Sequence, residues 1–151
     1  MTENKEKNIT VNRKARFEYH IIQTIEAGIE LVGTEVKALR QNKANLIDSY
    51  AAISGGEVWL VSAHISVYDH GNRFNHDPLR KRRLLLHKSE IRKLTKSVNE
   101  KGITLIPLRL YFSKGKVKVE IALAKGKKTF DKRRDIADKD AKRDAERKIK
   151  L

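Results

Sequence analysis

Three clusters of cations are the groups in this chain best suited to chemistry: Arg13, Lys14 and Arg16 near the start, Arg80 to Arg83 in the middle, and Lys125 to Arg134 (KGKKTFDKRR) toward the end. The chemistry they suit is neutralisation of phosphate. Aromatic rings stand close to two of them. Tyr19 offers a ring for stacking and a hydroxyl for hydrogen bonding, although an ordinary strand aromatic is the other reading of it. Phe130, inside the third cluster, offers a face on which an exposed base stacks, typically worth about 1–3 kcal/mol. Glu26 is informative for the opposite reason. In so basic a chain a carboxylate accepts from base amino groups and gains nothing from phosphate.

Other chemistries find little support. The chain has no cysteine, which removes disulfides, thiolate zinc sites and cysteine nucleophiles together. GKKT at 126–129 looks like the end of a phosphate-binding loop, but Ile121 stands where that motif needs its first glycine. His64, His70 and His76 recur every six residues, which puts them on no common helical face, so loop or RNA-contact histidines are favoured over a metal site. No nucleophile elbow or isolated acid pair appears. The expectation is a non-enzymatic protein with no cofactor. Trp59, within an apolar strand, reads as core.

The charge balance points the same way. Over 151 residues, 34 Lys and Arg stand against 19 Asp and Glu, a formal +15, with a pI near 10.1. Such a surface seeks a polyanion, and nucleic acid is the first candidate. An anionic membrane is the rival, but no apolar run of about 18 residues, signal-peptide core or wide-faced amphipathic helix is present. The cytoplasm is the expected location.

The elements that must carry these groups follow from periodicity and turn chemistry. Residues 1–11 are polar and read as a flexible N-terminus. Phe17 to Ile25 reads as a strand, Glu26 to Gly28 as a turn, and Ile29 to Val32 as its hairpin partner. Glu35 to Gln41 reads as a short helix. Ser49 to Ile53 and Val58 to Ile65 form a second hairpin around Gly55 and Gly56. Residues 66–83 are mostly loop, and Leu84 to Leu86 is a short apolar run. Ser89 is the expected N-cap of a helix from Glu90 to Glu100, with Gly102 where a left-handed C-cap belongs. Thr104 to Phe112 and Lys116 to Ala124 make a third hairpin turning at Lys114 and Gly115, with Pro107 marking an edge or bulge. Six strands in three hairpins with inserted helices predict a mainly β fold, a small antiparallel barrel of the oligonucleotide-binding type, over 12–124.

Beyond it, 125–151 carries twelve Lys or Arg against six Asp or Glu and three large aliphatics. It cannot bury enough apolar surface to offset an ordering entropy of about 1–2 kcal/mol per residue, so this basic tail is expected to be disordered when free. It orders on a polyanion or serves as a solubilising tail. Acids and bases three or four apart, as at Asp140 and Arg143, allow a helix once bound.

NRKARFEY at 12–19, EAGIELVGTEVKALR at 26–40, KANLIDSY at 43–50, RRLLL at 82–86 and AKGKKTFDKR at 124–133 resemble, in this order, the SmpB family of bacterial SsrA-binding proteins. The resemblance covers nearly the whole chain. It implies an RNA-binding adaptor that holds the tRNA-like domain of transfer-messenger RNA and brings it to stalled ribosomes for trans-translation. The tail would lie in the empty messenger channel and the small-subunit decoding centre. It further implies that Glu26 and Leu85 hold transfer-messenger RNA, with Asn12 and Arg13 in a matching motif. From the residues alone Glu26 is a turn residue and Leu85 core. The expected RNA contacts are therefore Asn12, Arg13, Lys14, Arg16, Tyr19, Glu26, Arg80, Arg82, Arg83 and Leu85. Those of the tail are Lys125, Lys127, Lys128, Phe130, Asp131, Lys132 and Arg133. Histidine is common in the family at the place of Phe130, a change that keeps stacking but not a protonated ring. A structural ribosomal protein, or another RNA-binding barrel, is the alternative reading.

Overall fold

A computed structural model describes residues 6–68, 75–100, 102–127, 133–134 and 136–143. In chain order the elements are β1 (Lys7–Val11), α1 (Arg13–Glu18), β2 (Tyr19–Ile29), α2 (Gly33–Arg40), β3 (Ala44–Asn45), β4 (Tyr50–Ser54) and β5 (Glu57–Val61). They continue with β6 (His64–Ile65), β7 (Arg82–Leu85), α3 (Lys88–Val98), β8 (Ile103–Ser113) and β9 (Lys116–Gly126). Residues 133–134 and 136–143 are also helical.

Strand pairing follows the order β8, β4, β5, β7, β2, β9, and β9 pairs again with β8, so six antiparallel strands close into a ring. β1 lies along β8, and β3 pairs with β6 as a separate two-stranded piece. Alternation dictates the interior: along β9, Val119, Ile121 and Leu123 point in to meet Ala27, Val58, Leu60, Leu84, Leu105 and Leu110. Each fully buried aliphatic side chain contributes about 1.5–3 kcal/mol. Two tight turns set the hairpin registers. Gly55 and Gly56 have φ of +60° and +74°, the pair of left-handed conformations a two-residue hairpin turn requires, and Lys114–Gly115 makes the equivalent turn between β8 and β9.

On the outside of the ring a second apolar cluster lies under α1. Ala15 packs on Ile106, Leu108, Ala122 and Ala124, and these small side chains let the helix lie close to the sheet. Its anchor is a bulge in β8 between Pro107 and Arg109. There the Asn12 side-chain amide donates to the Pro107 carbonyl (3.0 Å) and the Asn12 N–H to that of Leu108 (2.7 Å).

α2 is fixed by a buried ion pair. Glu35 and Arg82 are both fully buried, with Arg82 Nε donating to Glu35 Oε2 at 2.5 Å and Arg80 Nη2 to Oε1 at 2.6 Å. Oε1 also accepts the Val32 N–H (2.9 Å), capping the helix from its third residue. The rest of the Arg82 fork donates to the carbonyls of Ala63 and Pro78. Burial alone would raise the Glu35 carboxyl, but hydrogen bonds from Arg80, Val32 and Arg82 outweigh it and hold the group below its ordinary value. His76 serves the same region, with Nε2 donating to the Ile65 carbonyl (2.8 Å) and Nδ1 2.9 Å from the Thr34 hydroxyl.

Several expectations are corrected. Phe17 belongs to α1, and β2 runs unbroken through Glu26, Ala27 and Gly28, which pair with Glu120, Val119 and Lys118. There is thus no turn at 26–28, and Ile29 ends β2 instead of opening a hairpin partner. The place of that partner is taken by β7, where Leu84 and Leu85 pair with Ile29 and Gly28. Lys7–Val11 form β1, held at the edge by the buried Ile9, although the residues around it are polar. α3 is capped at His87, because Glu90 reaches back to the His87 N–H (3.0 Å). Trp59 is only half-buried, facing outward between Val58 and Leu60, with its indole N–H donating to Ser54 O at 3.4 Å. Pro107 marks a bulge as expected, and the other two hairpins stand.

Glu35→Ala should cost about 3–5 kcal/mol in urea unfolding, since it strands a fully buried guanidinium. A carboxyl with a depressed folded-state pKa stabilises fully above its unfolded value, about 4.5, and this stabilisation is lost as pH falls through the lower folded value. Wild-type stability should therefore drop more steeply below about pH 4.5 than that of Glu35→Ala, and parallel acid profiles would contradict the assignment.

Candidate nucleic-acid interface

The register of the ring lines up residues from five strands across its outer face. Leu85 on β7 stands opposite Gly28 on β2, Gly28 opposite Lys118 on β9, Lys118 opposite Tyr111 on β8, and Tyr111 opposite Asn8 on β1. The neighbouring row holds Glu26, Glu120 and Arg109. Lys118 and Glu120 alternate with the buried Val119 and Ile121, which makes this the outward side. A Cβ on Gly28 would lie 3.2 Å from that of Leu85, so the bare backbone lets β7 approach without Leu85 having to shift. Leu85 is left 47% exposed, too far out of the core to be explained by packing.

Two open clefts flank Leu85. The larger, about 750 Å³, combines apolar Leu31, Val36 and Phe112 with the cations Lys7, Arg40, Lys116 and Lys118. The second, about 630 Å³, brings together Glu26, Glu57, Arg83, His87 and Lys88. Glu26 is held in place from behind, since the buried Tyr111 hydroxyl donates to its Oε2. Burial, then the bond to Glu26, pushes the Tyr111 hydroxyl well above its ordinary value, so it stays a donor and Oε1 is left to accept from outside. The Arg109 guanidinium lies over the Tyr111 ring, 3.9 Å from its centroid, and donates to Asn8 and Glu6, each at 2.8 Å. A fixed carboxylate, a protruding leucine and a ring of lysines can accept from a base edge, pack against an unstacked base and neutralise backbone.

α1 covers the other end of the same face of β9, where Ala122 and Ala124 replace the charged residues. Arg13, Lys14 and Arg16 are exposed on it. Tyr19 is half-buried against the α1 cluster and shares a small cleft with Lys14 and Tyr50. The root of the tail is tied to the end of this helix: the Lys127 N–H donates to Glu18 O (2.8 Å) and its ammonium to Arg16 O (3.0 Å). Lys125 is exposed at the end of β9, and Arg133 is exposed and helical. Lys128, Phe130, Asp131 and Lys132 lie outside the described residues, as does His70.

Within the expected set, Arg82 must be corrected. It is fully buried against Glu35 and presents nothing to a phosphate. Arg80 is largely committed to the same carboxylate, and the Asn12 side chain is spent on the β8 bulge. Arg83, the outward member of the cluster, lines the second cleft, with one arm on Glu30 at 2.8 Å. Lys116, Lys118, Tyr111 and Arg109 were missed. The two lysines were legible from alternation with Val117 and Val119, whereas the tyrosine reaches Glu26 across an intervening strand. Among the described residues no three His, Asp or Glu side chains converge to hold a metal ion, and no helix is long and apolar enough to cross a membrane.

Comparison with known proteins is consistent with this geometry. Residues 9–151 match the model of the SmpB protein family. An SsrA-binding protein of Syntrophomonas wolfei is 57% identical over 144 residues, covering 95% of this chain and 92% of its own. One of Desulforamulus reducens is 60% identical over 145 residues, covering 95% and 90%. Among solved structures, a chain described under "tmRNA-SmpB: a journey to the center of the bacterial ribosome" is 49% identical, covers 80% of this chain and 85% of its own, and superposes with a TM-score of 0.68.

Lys118→Ala and Arg13→Ala should each flatten the plot of log binding constant against log salt by about one unit for a structured RNA. Both should leave the thermal midpoint nearly unchanged. Arg82→Ala should do the reverse, and salt titrations by anisotropy beside calorimetry separate the two behaviours.

Proposed function

The chain belongs to the SmpB protein family, and from that premise we infer that it is the RNA-binding adaptor of trans-translation, binding the tRNA-like domain of transfer-messenger RNA and delivering it to stalled ribosomes. The observation that carries the reading is the outer face on which Leu85 stands between two cation-lined clefts, with Glu26 on the wall of the second. Glu26, locked by Tyr111, accepts from base or ribose donors, Leu85 packs against an unstacked base, and Lys118 and Arg83 hold the backbone. Arg13, Lys14 and Arg16 extend the contact along α1, with Tyr19 beside them.

The adaptor works without catalysis and in the cytoplasm. Its task is to present an RNA in the place of an aminoacylated tRNA and its codon, for which affinity, shape and charge suffice. Lys125, Lys127, Lys128, Lys132 and Arg133 of the tail supply the charge for ribosomal RNA in the messenger channel and decoding centre, with Asp131 among them and Phe130 stacking on an exposed base. The division of labour is physical: barrel and tail meet different RNAs, and a cationic segment adds only salt-sensitive attraction to the first.

Glu26→Ala and Leu85→Asp should weaken the tRNA-like RNA at least tenfold more than a random duplex; equal losses would remove the assignment of specificity to these residues. Because β9 runs to Gly126 and Lys127 is tied to α1, a chain ending at Lys127 keeps the whole barrel. It should bind the tRNA-like RNA within a few-fold of the full chain yet fail to tag polypeptides on a message without a stop codon. Normal tagging by that chain would overturn the proposed role of the tail.

A further inference from the structure

Each nitrogen of the Arg109 guanidinium has a partner within the protein. Nη1 donates to Asn8 Oδ1 and Nη2 to Glu6 Oε2, each at 2.8 Å, while Nη2 and Nε approach Glu120 Oε2 at 3.3 and 3.4 Å. Asn8 lies on β1 and Glu6 just before it, so the start of the chain reaches across β8 to grip this side chain. The Arg109 side chain is only 21% exposed. A guanidinium committed to three acceptors has no free fork to offer a phosphate.

Arg109 bears on Glu26 by two routes. Its guanidinium lies over the ring of Tyr111, whose hydroxyl donates to Glu26 Oε2, so the cation fixes the ring that fixes the carboxylate. The second route is electrostatic. Glu26 and Glu120 stand directly opposite each other in the pairing of β2 with β9, and like charges so placed repel. Pairing Glu120 with Arg109 relieves that repulsion and leaves Glu26 beside the tyrosine.

We propose that Arg109 is a positioning residue for Glu26 and that the N-terminal strand is its clasp, so that Glu6 and Asn8 contribute to RNA recognition through Arg109. The inference rests on Glu26 accepting from the tRNA-like RNA, and adds what holds the carboxylate ready. A carboxylate free to swing must be ordered when the RNA binds, which weakens the recognised RNA selectively. Attraction to phosphate, which carries no sequence information, is left in place.

The quantity to measure on the full chain is discrimination, the ratio of affinities for the tRNA-like RNA and a random duplex. Arg109→Met should lower it about fivefold, the scale of a lost cation–π contact. Glu6→Ala combined with Asn8→Ala should lower it about twofold, the scale of a partly exposed ion pair. Arg109→Lys keeps a cation over the ring and beside Glu120, and should restore most of the ratio. In a Glu26→Ala background none of these changes should matter, because residues acting through one group are not additive. The dependence of binding on salt should stay as in the wild type, since no phosphate contact is removed. In the RNA-free protein the Tyr111 hydroxyl proton should give a slowly exchanging NMR signal that Arg109→Met abolishes. Unchanged discrimination in both variants, a loss that persists without Glu26, a salt slope flattened by about one unit, or the same hydroxyl signal in wild type and Arg109→Met each overturns the proposal. If the hydroxyl signal responds as expected while Glu26→Ala itself leaves discrimination intact, the result counts against Glu26 as an RNA contact instead, because that signal reports the clasp without RNA.

Discussion

A buried carboxylate shared by two arginines governs the arrangement of this protein. Glu35 caps α2 while its other contacts reach β7 and the segment leading into it, and Arg82 passes the connection on to the carbonyls of Ala63 and Pro78. Removing either partner leaves an uncompensated charge where water cannot reach, so the geometry is close to obligatory. Strand parity converts this constraint into function. With Arg82 turned inward, Arg83 must point out, Leu84 in and Leu85 out, and the leucine that protrudes between the two clefts is placed by an ion pair three residues away.

The outer face of β9 shows the same economy. One run of alternate residues begins with Lys118 and Glu120 and ends with Ala122 and Ala124, and the change from charged to small side chains decides what lies above it. Over the first pair the surface is open to an external ligand. Over the second, α1 settles closely enough to bring its three cations beside the open part, and its last carbonyls receive the start of the tail. The barrel surface, the basic helix and the tail root are thus continuous.

What could be read in the sequence was what local chemistry dictates. The turns at Gly55–Gly56 and Lys114–Gly115, the helix read at 35–41 and observed at 33–40, and the bulge at Pro107 each follow from residues within a few positions of one another. Six strands closing into a small ring was also legible, but one of the six was misidentified. Gly28 looked like a turn residue because its reason for being glycine, the approach of Leu85, lies 57 positions away. β1 was hidden because only Ile9 of its five residues is buried. In RKRR at 80–83 nothing local separates the buried Arg82 from the outward Arg83. Glu26 and Leu85 were singled out by family resemblance, and their physical justification, a buried tyrosine holding one and a bare glycine exposing the other, needs the register of five strands.

The ring also has a temporal aspect. β2 finds its long partner only in β9, about a hundred residues later, and β1 pairs with β8 at a similar remove. Contacts so distant in sequence make for slow, late folding, because the loop entropy must be lost before the pairing rewards it. During synthesis the first third of the chain emerges with its strands unpaired, and neither the Glu26 row nor the platform for α1 exists until residues 116–126 have left the exit tunnel. The surface proposed to hold RNA is therefore among the last features to form, and an incomplete chain still attached to its own ribosome lacks it.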